Sequence, residues 1–256
     1  MSYTFDFKKH TINENIRQIG LEQINKAQKN LQSIEDPHEG IHEARKCFKK
    51  IRSLVRLIRP GISKSDYKKG NVFFRDLGRS LSGIRDAAAV LETLEKVKES
   101  GFHEFPEEPW QKVYGYFERK KERVEANALT SQEDLGPVVQ KLEDFKEELQ
   151  SWEIEPEQME LISLGIQNQY KKASQALDEA LKNEHEEYFH EWRKQLKYLR
   201  YHVSLVQSLW NDYLSTYEEE LHKLTDFLGV DNDLKVIRNQ MVDYYQFRYQ
   251  KYQPFF

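Results

Sequence analysis

A single cysteine, Cys47, stands in the whole chain. That excludes an intrachain disulfide framework and accords with a reducing compartment. No stretch approaches the roughly 18 consecutive apolar residues of a membrane-spanning helix. The opening residues MSYTFDFKKH lack the apolar core of a secretory signal. A soluble, cytoplasmic protein without a membrane partner is therefore expected. Strand-like alternation and low-complexity segments are also missing. So are the Gly-x-x-x-x-Gly-Lys-Ser/Thr phosphate loop and the Gly-x-Ser-x-Gly elbow, which removes the sequence signals for P-loop nucleotide hydrolysis and α/β-hydrolase chemistry.

The residues present point to long amphipathic helices. Hydrophobic residues make up 38% and charged residues 32%, with 14 Tyr, 14 Phe and 4 Trp as bulky core material. High charge combined with regular apolar spacing predicts an all-α bundle rather than a disordered chain. The net charge of −4 is acidic, and residues 141–160 hold eight acids against two lysines. Opposite charges are thus segregated along the sequence, so any binding of an anion is expected at a local basic site, with acidic faces elsewhere limiting nonspecific adhesion.

That basic site is written into residues 41–59. Ile41, Ala44, Phe48, Ile51, Val55 and Ile58 recur every three or four positions, which places them on one helical face. One position later run His42, Arg45, Lys49, Arg52, Arg56 and Arg59, a cationic ribbon about 27 Å long at 1.5 Å per residue. The stretch has seven Lys/Arg and one acid, Glu43. Solvated helix faces usually mix signs, because Glu–Lys pairs relieve repulsion. A ribbon of one sign predicts a polyanion lying along it.

The motif recurs. His42, Arg45, Lys46, Lys49 and Arg52 match His190, Arg193, Lys194, Lys197 and Arg200 at an offset of 148, with Phe189, Trp192, Leu196, Leu199, Val203 and Val206 in the apolar places. Residues 77–90 (LGRSLSGIRDAAAV) match 224–237 (LTDFLGVDNDLKVI) at an offset of 147, aligning Leu81 with Leu228 and Asp86 with Asp233. A near-constant offset over two motifs predicts an internal duplication.

These paired motifs resemble those of the CHAD family, whose signature is a His-x-x-Arg-(Lys/Arg)-x-x-(Lys/Arg)-x-x-Arg run in each half, followed by a Leu-Gly-x-x-Arg-Asp-like segment. The resemblance spans about residues 9–250. It implies one domain over residues 1–256, formed by two pseudo-symmetric four-helix bundles, with halves of about 9–130 and 131–250. It also implies inorganic polyphosphate as the ligand, no cofactor, and possible association with polyphosphate granules. The residues assigned to that ligand are His42, Arg45, Lys46, Lys49, Lys50, Arg52, Arg56, Arg75, Arg79, Arg85, His190, Arg193, Lys194, Lys197 and Arg200. The second half departs from the pattern: Tyr198 replaces Lys50, Ser204 Arg56, Gln207 Arg59 and Asn232 Arg85. An unequal contribution from the halves is expected.

Along the chain, the periodicity predicts a first helix over 9–33 and the basic helix ending at Pro60-Gly61, where glycine is read as the left-handed stop. A third helix follows over 64–82, and Asp86 is read as the N-cap of a helix ending at Gly101. Further helices are expected at 109–128, 138–151 as a strut between halves, from Glu155-Pro156, over 185–209, over 212–228, and from an Asp233 cap to about 249. The aromatic tail 252–256 is expected to dock.

The remaining chemistry is sparse. Asp86 and Asp233 are explained as caps, without a catalytic role. No catalytic set or metal site is expected around His42 or His190. Either histidine could face phosphate or hold a neighbouring arginine. Cys47 falls on the apolar side and is read as a buried, inert thiol. The function expected is noncatalytic polyphosphate binding. A helical nucleic-acid binder and a phosphate-ester-processing enzyme are the alternatives, nucleic acid being disfavoured because Trp192 lies on the apolar stripe.

Overall fold

The computed structural model describes residues 3–33, 37–99, 106–129 and 135–251; side chains are described there except at 37–38, 83–88, 125–129, 243 and 246–251. The described chain is helical throughout its regular structure: α1 (Ile12–Leu31), α2 (Pro37–Leu57), α3 (Lys64–Ser80), α4 (Ser82–Glu99), α5 (Glu107–Leu129), α6 (Leu135–Ser151), α7 (Met159–Asn183), α8 (Glu186–Val206) and α9 (Asn211–Lys251).

Helix α1 starts at a capping box. The Thr11 hydroxyl accepts from the Glu14 amide, and Glu14 Oε2 accepts from the Thr11 amide at 2.8 Å. The expected apolar face of α2 is buried at every position: Ile41, Ala44, Phe48, Ile51, Val55 and Ile58 are at most 4% exposed. Cys47 joins them, and burial pushes its thiol up to about 11. These residues form the main core with α1, α3 and α6, joined by Leu161 and Ile162 of α7 and Leu205 and Val206 of α8.

A short 3-10 turn, Arg59–Gly61, ends α2 as Pro60 predicts. Gly61 is needed there for space rather than for a left-handed backbone, because a Cβ would stand 2.4 Å from the Glu155 carbonyl oxygen. The segment 152–158 passes at this point, with the Glu155 amide donating to Gly61 O at 2.9 Å. It carries the buried Trp152 and delays α7 to Met159, three residues beyond Pro156.

Three further expectations need correction. Helix α6 is not a strut between halves; it is a wall of the main core, burying Leu142, Phe145 and Leu149 beside α1. Helix α4 begins at Ser82, after a break at Leu81, so Asp86 lies within the helix rather than at its cap. Asp233 likewise lies inside α9, a continuous helix of 41 residues. Cap propensity yields there to packing on both sides of Asp233: Leu228 joins a cluster with Leu196, Leu199, Val203 and Leu221, and Ile237 and Met241 pack on a cluster of α4 and α5 containing Val90, Leu91, Leu94 and Phe117. The expected stop at Gly101, the tail 252–256 and the side chains of Arg85 and Asp86 lie outside the described residues.

The two basic helices meet directly. Ser53 Oγ of α2 donates to Tyr198 O of α8 at 3.3 Å, inside the protein. The N-terminal residues lace the pair together, the Phe5 amide donating to Leu205 O at 2.7 Å and Tyr3 Oη to Lys50 O at 2.7 Å.

A cationic cleft on α2 and α3

With its apolar face committed to the core, α2 turns Arg45, Lys49, Arg52 and Arg56 outward on successive turns, facing α3. A cleft of about 450 Å³ opens there, lined by those four residues, by Arg75 and Arg79 of α3, and by Lys194 of α8. No carboxylate is among its described lining residues; Phe48 and Phe74 form its floor beside Asn71, Gly78 and Ser82.

Three arginines of α2 are held in place by neutral groups. Arg45 Nη1 donates to Leu81 O at 3.3 Å and Ser82 O at 3.2 Å, tying α2 to the α3–α4 break. Asn71 Oδ1 accepts from both Arg52 Nε, at 3.2 Å, and Arg56 Nη2, at 3.3 Å. The Arg56 guanidinium lies 4.4 Å from the centre of the Tyr198 ring. Asn71 and Tyr198 orient the Arg52 and Arg56 guanidiniums without neutralising them, and leave their charge available to an anion. Burial holds the Arg52 pKa below its ordinary value, with Arg56 and Arg75 adding to the effect. Three lining cations do have carboxylate partners outside the lining: Arg75 lies 2.7 Å and Arg79 3.9 Å from Asp76 on the exposed side of α3, and Lys194 pairs with Glu191.

The second ribbon is more nearly quenched. Arg200 Nε lies 2.8 Å from Glu218 Oε1, an ion pair too bent to count as a hydrogen bond. Lys194 pairs with Glu191. Arg193 Nε donates to Thr225 O at 3.0 Å, much as Arg45 reaches the α3–α4 break. Gly229 makes room for that side chain, since a Cβ would meet Arg193 Nη2 at 2.6 Å. Lys197 sits where the ribbons face each other: burial first, then Arg193, Lys49 of α2 and Arg200, lower its pKa to about 8.

The other predicted residues with described side chains lie apart from the cleft lining. Lys46 is exposed and pairs with Glu43. Lys50 lies over the Tyr3 ring at 5.0 Å, its pKa lowered by burial. His190 is exposed and its Nδ1 is 2.8 Å from Asn232 Oδ1; His42 is half-buried in α2. Arg85 cannot be placed among the described side chains. Sequence reasoning passed over Asn71 and Tyr67, although Tyr67, Asn71, Phe74 and Gly78 recur at helical spacing on the face of α3 that meets α2. His202, expected to be a surface or packing histidine, is a packing one, its ring wholly buried against α2.

Among the described residues, no helix is long and apolar enough to cross a membrane, and no group of three or more His, Cys, Asp or Glu is arranged to hold a metal ion. The molecule is thus an all-helical protein with a concentrated cationic cleft on an otherwise acidic chain. Residues 18–241 match the CHAD domain model, nearly the whole chain, and the protein belongs to the CHAD domain family. That family is linked to polyphosphate. Among solved structures the chain is similar to PptA from Streptomyces chartreusis, with a TM-score of 0.58 and 12% identity over 90% of this chain and 99% of that one, a likeness of fold. No curated protein matches it in sequence.

Proposed function

We propose that the protein binds inorganic polyphosphate, without catalysing its turnover, in the cleft between α2 and α3, with α8 supplying further cations at the rim. The observation that carries this reading is the lining itself: seven Lys/Arg side chains, no carboxylate among the described lining residues, and guanidiniums oriented by Asn71, Tyr198 and backbone carbonyls. Polyphosphate offers a row of anionic phosphoryl groups and no bases. A matching site needs repeated positive charge, and arginine forks suit phosphoryl oxygens.

The same lining argues against the alternatives. Phe48 and Phe74 are buried, so the cleft offers no aromatic platform for bases. Hydrolysis of a phosphoanhydride would call for carboxylates that hold metal ions or move protons beside the cations, and the described lining has none. Cytoplasmic placement and association with polyphosphate granules follow from this reading as part of the proposal.

Titration with long-chain polyphosphate, with RNA as competitor, tests it. Tight binding that RNA fails to displace, weakened by Arg52→Gln, is the expected result. Absence of binding, or displacement by RNA at equal phosphate concentration, overturns it.

A further inference from the structure

Beyond the cleft, the C-terminal end of α2 carries a second convergence of cations. Tyr67 of α3 holds two of them: its Oη accepts from Arg56 Nη1 at 3.3 Å, and its ring centre lies 4.8 Å from the Arg59 guanidinium. The third is Lys172 of α7. Helix α7 touches this end of α2 at Gly165, where a Cβ would stand 2.0 Å from Leu57 O. One turn on, Gln169 Nε2 donates to Gln195 O of α8 at 2.9 Å. Lys172 continues the same face, half-buried, in a position where the charges of Arg59 and Arg56 both act on it.

This arrangement is unfavourable by itself. Burial, then Arg59, then Arg56 lower the Lys172 pKa, and among the described residues no carboxylate pairs with Lys172, Arg56 or Arg59. A partly desolvated ammonium beside two guanidiniums is stabilised only by an anion from outside. Arg56 also lines the cleft, so the two cationic regions share a residue.

We propose that Arg56, Arg59 and Lys172 form a second phosphoryl-binding subsite, over which a polyphosphate chain leaving the cleft passes from α2 onto α7. This inference rests on the polyphosphate reading and deepens it. The row from Arg45 to Arg59 alone runs about 21 Å along α2. A long chain can fill both regions, whereas tripolyphosphate, far shorter than the row, fills the cleft alone.

The test compares long-chain polyphosphate and tripolyphosphate binding to the full chain and to the Arg59→Gln/Lys172→Gln double variant. The double variant should bind the long chain about tenfold more weakly, as expected for losing charge-assisted contacts. The slope of log affinity against log salt should fall by between about one and two. Tripolyphosphate affinity should change less than about threefold, and the melting temperature should not fall, because like-charge repulsion has been removed. Lys172→Arg in place of Lys172→Gln should restore part of the long-chain affinity. Unchanged long-chain affinity, or equal losses for both ligands, overturns the subsite while leaving cleft binding intact. Failure of the unaltered protein to bind either ligand overturns the polyphosphate reading itself, a separate result.

Discussion

His202 Nε2 donates to the carbonyl oxygen of Ser53 at 2.9 Å, and with this bond α8 is fastened to α2 beneath the cationic surface. The ring is wholly buried and its Nδ1 has no hydrogen-bond partner among the described residues. Burial, with Arg56 and Lys172 adding to it and the Ser53 bond opposing it, lowers the His202 pKa to about 4. The histidine that joins the two ribbons is thus a neutral post, distinct from the histidines that open them.

That neutrality makes stability depend on pH. An unfolded histidine titrates near 6.5, so between about 6.5 and 4 the unfolded chain holds more protons than the folded one. The stabilisation is complete above pH 6.5 and is lost as pH falls toward 4, by up to about 3 kcal/mol. His202→Gln keeps a donor for Ser53 and has no titration. Urea midpoints measured from pH 7.5 to 4.5 should show a smaller acid-side decline for the variant than for the unaltered protein. Parallel declines would mean that His202 titrates normally in the fold.

The cleft of α2 and α3 is predicted to contribute more to binding than the ribbon of α8. Arg52 and Arg79 line the cleft with no carboxylate paired to Arg52 among the described residues and only a 3.9 Å contact from Arg79 to Asp76, whereas Arg193 serves Thr225 and Arg200 faces Glu218. Arg52→Gln/Arg79→Gln should lower polyphosphate affinity by about tenfold or more and reduce the salt slope by one to two, on the counterion-release scale. Arg193→Gln/Arg200→Gln should cost less affinity and more thermal stability. Equal affinity losses in a titration would contradict the asymmetry.

The sequence motivates this prediction, since Tyr198, Ser204 and Gln207 stand in place of Lys50, Arg56 and Arg59, but it does not show the partners of Arg193 and Arg200. The apolar period of α2 placed Ile41 through Ile58 correctly because burial follows helical spacing directly. Lys46 and Lys50 carry the same charge as Lys49, yet lie to one side of the cleft lining; a motif registers residue type, while the angle around the helix decides what a side chain faces. Asn71 and Lys172 come from α3 and α7, and only the packing of those helices on α2 brings them to the arginines. The unbroken α9 was hidden for a related reason, since its course through Asp233 is set by Leu228, Ile237 and Met241 packing against distant helices.

Glu218 should act as an internal competitor for the ligand. Its carboxylate and the Arg200 guanidinium are both mostly shielded, with 21% and 17% side-chain exposure. Glu218→Gln leaves Arg200 uncompensated, which should lower stability by about 1 kcal/mol or more, because a partly buried charge loses its partner. The same change adds net positive charge beside Lys50 and Lys197, and should raise polyphosphate affinity a few-fold at low salt. Calorimetric melting and a binding titration on the same sample check both. Weaker binding by the variant would place Glu218 in a supporting role instead.

Lys197 gives the sharpest pH signature of the site. Its ammonium faces Arg193 and Arg200 on its own helix and Lys49 on α2, with Asp226 of α9 opposing them, and its pKa is lowered to about 8. Unfolded lysine titrates near 10.4, so between about 8 and 10.4 the unfolded chain holds more protons, and this group makes the ligand-free protein more stable as pH rises through that window. A bound polyanion favours the charged ammonium and raises its pKa, so binding takes up protons in the same window. Affinity should therefore fall as pH rises from 8 to 10, by about tenfold for each pKa unit that the ligand restores, while the Lys197 contribution to stability moves the other way. Lys197→Arg keeps the charge without titrating and should flatten both trends; Lys197→Gln should flatten them and weaken binding at pH 7. Titrations in buffers of different ionisation enthalpy report the proton uptake directly. Affinity that stays level from pH 8 to 10 would remove Lys197 from the linkage.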